Sequence, residues 1–207
     1  MRKLISILAT VILMVATLSS SPSVLDSVRP LMLKHEQGDP TPVCTTGIIN
    51  SKKGYWITAK HCMTDGPITQ YLIDGKSISL IKTGDDLIDL VILQSDAKGK
   101  ELKISVQSPD FDSGVHMANF MGGVIFPTYL SGKVANPYAT IPAMGPRYFL
   151  IMNIVSAGGA SGSPIVDDTG HLVTVAIVNF YQGAGSISPL TGGVVYKDFI
   201  NFIRGYI

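Results

Sequence analysis

The sequence has little charge of either sign. Its 16 lysine and arginine residues nearly balance 15 aspartates and glutamates, for a net charge of +1, and no long run of like charges occurs. Proteins that bind nucleic acid or an anionic membrane surface usually carry an excess of basic residues. The sequence therefore predicts no nucleic-acid partner. The composition, 46% hydrophobic, also excludes a disordered chain, and we find no repeat of fixed period.

Long apolar runs are also scarce, and the longest lies at the N-terminus. Arg2 and Lys3 precede an apolar run over residues 4–18, and small polar residues follow it. This order is typical of a secretory signal peptide, and the run is shorter than the roughly 18–20 residues of a membrane span. We therefore predict that residues 1–21 are a signal peptide outside the fold. Because no clean A-x-A cleavage site follows, a membrane tether through residues 4–18 is the alternative, with a buried core helix third.

Cysteine is the next scarce residue, since only Cys44 and Cys62 occur. In an exported protein, an even number of cysteines allows a disulfide, because oxidising compartments preserve such bonds. In the cytosol, the same two residues would be buried thiols. Export and pairing therefore support one another.

What the sequence does contain, after residue 40, is a series of short apolar runs. They are rich in Val, Ile, Tyr and Thr, and Gly, Pro, Asp, Asn or Ser separates most of them. This pattern predicts many short strands, and hence an all-β barrel or sandwich. The most polar stretch, 93–114, is the best candidate for a connection between two halves. We therefore predict two packed antiparallel β-barrels of six-stranded type, over residues 22–108 and 109–207.

Three local segments have clear patterns of their own. Segments 51–54 and 167–170 end in glycine and predict hairpin turns. In the C-terminal segment, four apolar residues recur at helical spacing and predict a short helix packed on the body. These residues are Phe199, Phe202, Ile203 and Tyr206.

The segment "GGASGSP" (158–164) surrounds Ser161 with small residues. A surface turn has such a composition, and so has the site of a nucleophile that a substrate must approach closely. An activated serine needs a general base and a third group to orient that base. His61 is the best candidate base, because it ends an apolar run just before a turn. The other histidines are predicted to be surface or structural residues: His35, His116 and His171.

Three carboxylates lie near the start of another apolar run, in "GDDLIDLVIL". Asp89 directly precedes the apolar residues 90–93, so it is predicted to be partly buried at a barrel edge. A buried carboxylate is costly unless a partner hydrogen-bonds to it, and His61 would be such a partner. We predict Asp89 as the orienting acid, with Asp86 as the main alternative.

Together these motifs make the chain resemble the chymotrypsin-like (trypsin-like) serine peptidases, nearest to the compact bacterial and viral members. "TAKHC" resembles the histidine motif of the family, "DLVIL" its aspartate motif and "GGASGSP" its nucleophile motif, and "YLSGKVAN" is a weaker match. The order His61, Asp89, Ser161 is that of the family. The G-x-S-x-G elbow of the α/β-hydrolases is absent, because Ser163 stands where it requires glycine. The resemblance covers about residues 40–206.

The resemblance implies an endopeptidase with protein or peptide substrates. In that mechanism Ser161 is the nucleophile, His61 the base and Asp89 the orienting acid. The backbone N–H groups of Gly159 and Ser161 form the oxyanion hole. No metal ion or cofactor is needed. A catalytically silent binding module on the same fold and an esterase are the alternatives.

Three further expectations follow from the same resemblance. Cys44 lies where the family often has the disulfide partner of the cysteine beside the histidine, here Cys62. Val155, six residues before the nucleophile, is expected at the base of the specificity pocket, which would favour an apolar substrate side chain. Ala160 replaces the acidic residue that receives a new N-terminus in the digestive members, so activation by that ion pair is not expected. The protein is predicted to be secreted or periplasmic, or membrane-anchored with its catalytic domain outside the cytosol.

Overall fold

The structure is a computed structural model that describes residues 24–63, 70–85, 87–123, 126–180 and 187–207. The predicted signal peptide or anchor and Asp86 lie outside these residues. Among the described residues, no helix combines the length and the apolar character that crossing a membrane requires.

Seven antiparallel strands form an N-terminal sheet. They are β1 (Val28–Leu33), β2 (Thr41–Asn50), β3 (Tyr55–Ala59), β4 (Tyr71–Ile73), β5 (Lys76–Ser77), β6 (Ser79–Thr83) and β7 (Leu90–Gln94). Their spatial order is β5-β4-β1-β2-β3-β7-β6. Within the described residues, the edge strands β5 and β6 are not hydrogen-bonded to each other, so the sheet is open.

Six antiparallel strands form a closed C-terminal barrel. They are β8 (Gly114–Asn119), β9 (Thr128–Thr140), β10 (Tyr148–Met152), β11 (Pro164–Asp167), β12 (Leu172–Asn179) and β13 (Thr191–Val194). Neighbours around the barrel follow the order β10-β13-β12-β11-β8-β9. The predicted all-β fold of two packed barrels is confirmed, with the difference that the N-terminal half has seven strands in an open sheet.

Alternation of side chains along the strands builds two cores. In β10, Leu150 and Met152 pack in the interior of the C-terminal barrel, whereas Phe149 and Ile151 join the larger cluster that also includes the core of the N-terminal sheet. Successive side chains of a strand point to opposite faces, so one apolar strand can serve both cores. This explains why "YFLIM" is apolar throughout instead of alternating with polar residues.

One strand, β1, was not predicted from the sequence. Pro30 lies in it, and proline usually argues against a central strand because it lacks a backbone N–H. The pairing removes this objection. Val28, Arg29 and Pro30 pair only with β2, and pairing with β4 begins at Leu31. Pro30, which lacks the N–H, therefore lies in the part of β1 that pairs with β2 but not with β4.

The predicted turns and helix are confirmed. Gly54 and Gly170 close their turns with φ of 67° and 80°. The helix α1 (Tyr196–Ile203) buries three of the four residues that predicted it: Phe199, Phe202 and Ile203. Tyr206 lies beyond the end of the helix, with its ring centroid 5.9 Å from that of Tyr55 in β3.

Candidate active site

His61 and Asp89 meet because two paired strands end side by side. Ala59, the last residue of β3, pairs with Leu90, the first residue of β7. His61 follows β3 in a 3-10 turn (Lys60–Met63), and Asp89 directly precedes β7. The register of one strand pair therefore brings a histidine and an aspartate together that are 28 positions apart in the chain.

Both carboxylate oxygens of Asp89 accept hydrogen bonds from His61. Oδ2 lies 2.6 Å from the ring Nδ1, and Oδ1 accepts the backbone N–H at 2.9 Å. The Asp89 side chain is 18% exposed, and that of His61 is 44% exposed. With Nδ1–H donating to the carboxylate, a neutral imidazole has its lone pair on Nε2 and can accept a proton there.

Asp85, the nearest described carboxylate in the chain, has a different role. Its Oδ1 accepts the backbone N–H groups of Leu87 and Ile88 at 2.9 and 3.0 Å. It therefore fixes the turn that leads into β7. The prediction that Asp89 is the partner of His61 agrees with this geometry, while Asp86 lies outside the described residues.

Ser161 lies on the loop between β10 and β11, between two glycines of positive φ. Gly159 has φ of 90° and Gly162 has φ of 81°. A Cβ at Gly159 would lie 2.8 Å from the carbonyl oxygen of Phe120, and one at Gly162 would overlap atoms of Thr58. Backbone conformation and close packing thus both require glycine at these two positions.

The backbone of this loop leaves several donors available. The carbonyl groups of residues 158–161 all accept hydrogen bonds. The N–H groups of Gly158, Gly159 and Ser161, in contrast, donate to no acceptor within the part of the chain that the structure describes. Two such donors can stabilise a negatively charged oxygen.

Strand β2 connects the two parts of the site. The Thr45 N–H donates to the carbonyl oxygen of Ser161 at 2.9 Å. The preceding residue, Cys44, is disulfide-bonded to Cys62, which directly follows His61. Neighbouring residues of one strand are therefore tied to the histidine and to the serine.

A small pocket opens beside Ser161. Its described lining residues are small or polar: Ser156, Ala157, Ala160, Ala176, Val178, Asn179 and Thr191. Val155, expected at the base of the specificity pocket, is 43% exposed and does not line it. The next residue, Ser156, does. Because side chains alternate along an extended chain, Val155 and Ser156 face different ways, and the family spacing alone did not resolve which faces inward.

The remaining histidines make contacts away from Ser161. His35 bonds to Thr41, His116 to Ser131 and Asp168, and His171 to Thr169. Near His61, the side chains of Cys44, His61 and Cys62 lie close enough together to suggest a metal site. However, the disulfide bond occupies both sulfurs, and zinc and other soft metals bind the thiolate form of cysteine.

Comparison with known proteins gives one family match. Residues 45–175 match a family model described as a trypsin-like peptidase domain. That range includes His61, Asp89 and Ser161. The pro-apoptotic serine protease NMA111 of Coccidioides immitis (strain RS) is 25% identical over 154 residues, which are 67% of this chain and 15% of that protein.

Solved structures resemble the whole fold. The HtrA-type protease AlgW with a decapeptide has a TM-score of 0.73 at 15% identity, covering 88% of this chain and 64% of that chain. An AlgW variant with a tripeptide has a TM-score of 0.68 at 16% identity, covering 89% and 61%. At these identities the likeness shows the fold alone. The chain spans less than two thirds of the length of each of these relatives.

Proposed function

We propose that the chain, which belongs to the trypsin-like peptidase family, is a serine endopeptidase that cleaves proteins through an acyl-enzyme. Ser161 is the nucleophile, His61 the general base and Asp89 the acid that orients His61. The observation that carries this assignment is the pair of hydrogen bonds between His61 and Asp89. This pair is tied through β2 to the loop that carries Ser161.

In the first half of the reaction, the Ser161 hydroxyl attacks the carbonyl carbon of the scissile peptide. His61 Nε2 accepts the hydroxyl proton, and Asp89 stabilises the resulting imidazolium. The carbonyl oxygen becomes negatively charged and accepts hydrogen bonds from the N–H groups of Gly159 and Ser161. His61 then donates its proton to the leaving amine, the C–N bond breaks, and the acyl group remains on Ser161.

In the second half, water replaces the amine. His61 accepts a proton from the water as its oxygen attacks the acyl carbon. The second tetrahedral intermediate uses the same two N–H donors. His61 returns the proton to the Ser161 oxygen as the ester bond breaks, which releases the carboxylic product and regenerates the enzyme.

The pocket beside Ser161 indicates which substrate side chain is accepted. A Lys or Arg side chain would need a buried anion to offset its desolvation. The described lining residues include no carboxylate. We therefore propose a preference for a small or medium apolar side chain, with Asn179 as a polar contact at the rim.

Peptide substrates agree with the structural neighbours, since both AlgW structures contain peptides. Export agrees with the disulfide between Cys44 and Cys62, because such bonds persist in oxidising compartments. We propose that residues 1–21 direct export as a signal peptide, with retention as a membrane tether through residues 4–18 as the alternative. Intact mass spectrometry of the exported protein distinguishes cleavage near residue 21 from retention of the leader.

The central test combines labelling of the serine with a cleavage profile. A fluorophosphonate should label the wild-type protein, and a peptide library should be cut after small or medium apolar residues. Ser161→Ala should abolish labelling and lower kcat by about 10⁶-fold, and His61→Ala should lower kcat similarly. The double variant should lose little more, because the residues act as a unit.

Ser163→Ala is the matched control. Ser163 lies in the same loop and is buried, and its hydroxyl has no hydrogen-bond partner within the described residues. This variant should keep its labelling and activity. Wild-type protein that resists labelling indicates the silent module, and labelling with turnover of esters but not peptides indicates the esterase. A library profile dominated by Lys or Arg contradicts the proposed side-chain preference but not the assignment of the catalytic residues.

A further inference from the structure

A buried threonine of the N-terminal sheet holds the loop that carries Ser161. Thr45 lies in β2 and is inaccessible to solvent. Its backbone N–H donates to the carbonyl oxygen of Ser161 at 2.9 Å, and its hydroxyl donates to that of Gly159 at 2.9 Å. One residue therefore fixes two carbonyl groups of the loop that are two positions apart.

The same hydroxyl also connects this loop to the segment after β8. Thr45 Oγ1 accepts the N–H of Phe120 at 3.0 Å. Two residues further on, the N–H of Gly122 donates to the carbonyl oxygen of Gly158 at 2.7 Å. The Thr45 hydroxyl is thus the point where β2, the segment after β8 and the Ser161 loop meet.

These bonds restrain the two peptide planes that flank Gly159. The Gly158–Gly159 plane carries the Gly159 N–H of the proposed oxyanion hole, and Gly122 holds its carbonyl end. The Gly159–Ala160 plane is held at its carbonyl by the Thr45 hydroxyl. Since each peptide is planar, a held carbonyl also fixes the N–H of the same plane. Glycine itself restrains its backbone only weakly, so the hydrogen bonds on either side must set its φ of 90°.

We propose that Thr45 is a positioning residue of the oxyanion hole. The Gly122 N–H holds the plane that carries the Gly159 N–H, and the Thr45 hydroxyl holds the next plane. Together they set the backbone angles of Gly159, and hence the direction of its N–H relative to the rest of the loop. The proposal rests on the proposed function and deepens it, because the N-terminal sheet then contributes to the oxyanion hole as well as to the base and the acid. Removal of the hydroxyl leaves the Gly159 carbonyl and the Phe120 N–H without this partner.

The test compares Thr45→Val, which keeps the shape and removes the hydroxyl, with Thr45→Ser, which keeps the hydroxyl. Thr46→Val is the matched control. Thr46 is the next residue of β2, is equally buried, and its hydroxyl donates to the carbonyl oxygen of Arg29 at 3.0 Å. Thr45→Val therefore loses two buried hydroxyl hydrogen bonds, and Thr46→Val loses one at an equally buried position of the same strand. Rates are measured on a peptide ester or amide and divided by the number of sites that a fluorophosphonate titrates.

Loss of one oxyanion donor outright costs about 10²–10³ in kcat, so a donor that is present but poorly aimed should cost about 10- to 100-fold. We expect this loss in kcat for Thr45→Val, with KM nearly unchanged. A peptide boronate, which forms a tetrahedral adduct, should lose affinity by a similar factor. The pH profile should keep its shape, because the His61–Asp89 pair is untouched. Thr45→Ser should recover most of the activity.

A merely structural role predicts a different result. It would lower the thermal stability of both valine variants and leave kcat per titrated site unchanged. Equal kcat for Thr45→Val and wild type, or an equal loss in Thr46→Val, overturns the proposal. If Thr45→Val does not fold, Thr45→Ala provides the same comparison with the smaller side chain. Wild-type protein that is neither labelled nor active contradicts the proposed function itself.

Discussion

The two halves of the molecule contribute to the proposed site in different ways. The N-terminal sheet provides side chains at strand ends, His61 after β3 and Asp89 before β7. The C-terminal barrel provides the loop that carries Ser161 and the backbone N–H groups beside it, and Gly159 must adopt a positive φ there. Activity should therefore be sensitive, at His61 and Asp89 of the N-terminal half, to substitutions that change the chemical group but keep the shape of the side chain. Apart from Ser161 itself, the C-terminal loop should be sensitive to substitutions that change the shape of a residue but add no new chemical group.

After loss of Ser161 or His61, the largest effect should come from a change of chemistry at constant shape in the N-terminal half. Asp89→Asn keeps the size of the side chain but removes the charge and can reverse the hydrogen bond to His61 Nδ1. We expect kcat to fall by about 10⁴-fold, as when the orienting acid of a catalytic triad is replaced by its amide. Steady-state kinetics measure the loss. Asp86→Asn is the control, and a larger loss in that variant would make Asp86 the orienting acid.

The next effect should come from a change of shape in the C-terminal half. Gly159→Ala adds one methyl group, which would lie 2.8 Å from the carbonyl oxygen of Phe120 at a φ of 90°. The loop must shift, and we expect kcat to fall by about 10²-fold, the loss expected for one oxyanion donor. Gly158→Ala is the matched control, because its added Cβ meets nothing within 4 Å. Similar kinetics for the two variants would contradict the different roles of these glycines.

Sequence reasoning succeeded where a local pattern determines the structure. The alternation of apolar runs with turn residues predicted the short strands of both halves, although only the C-terminal half closes into a barrel within the described residues. The paired ends of β3 and β7 brought His61 to Asp89, as the motif order had suggested. Phe199, Phe202 and Ile203 predicted a helix because helical periodicity places them on one face.

It failed where a contact depends on distant parts of the chain. Strand β1, which contains Pro30, was not predicted, and the pairing of that residue on one side explains how it fits in the sheet. The family spacing pointed to Val155, whereas the neighbouring residue lines the pocket. The role of Thr45 was not predicted, because its hydroxyl binds Gly159 across 114 positions. No sequence pattern within β2 indicates that Gly159 is the partner of this hydroxyl.

Both cysteines lie in the N-terminal half, so the disulfide should stabilise that half of the molecule. Cys44 and Cys62 are 18 positions apart and join β2 to the turn of His61. Cys44→Ala/Cys62→Ala should lower the free energy of unfolding by about 3 kcal/mol, the entropy gain of a closed loop of this length. Urea denaturation followed by tryptophan fluorescence measures it, because Trp56 lies in the same sheet. A reductant should destabilise only the wild type, and equal midpoints for both proteins would contradict the prediction.

The smallest effect should come from a turn of the C-terminal barrel. Asp167 Oδ1 accepts hydrogen bonds from the N–H and hydroxyl of Thr169 and from the His171 N–H, at 2.6–3.0 Å. Burial alone would raise the pKa of Asp167, but these hydrogen bonds together lower it below its ordinary value. The folded protein thus favours the carboxylate, and this stabilisation is present above the unfolded-state pKa of about 4 and lost as the pH falls through the lower folded-state pKa. Asp167→Asn should cost about 1 kcal/mol at pH 7.

The difference between wild type and Asp167→Asn should therefore shrink on acidification below about pH 4. Urea denaturation at a series of pH values measures it. Asp96→Asn, at an exposed carboxylate of the connection between the halves, should change stability little at any of these pH values. A difference that stays constant at acid pH would mean that Asp167 stabilises the turn through its shape alone. The stability of this turn would then depend on the shape of the side chain, as activity does at Gly159. That result would strengthen the contrast with the N-terminal half, where the chemical groups of His61 and Asp89 matter.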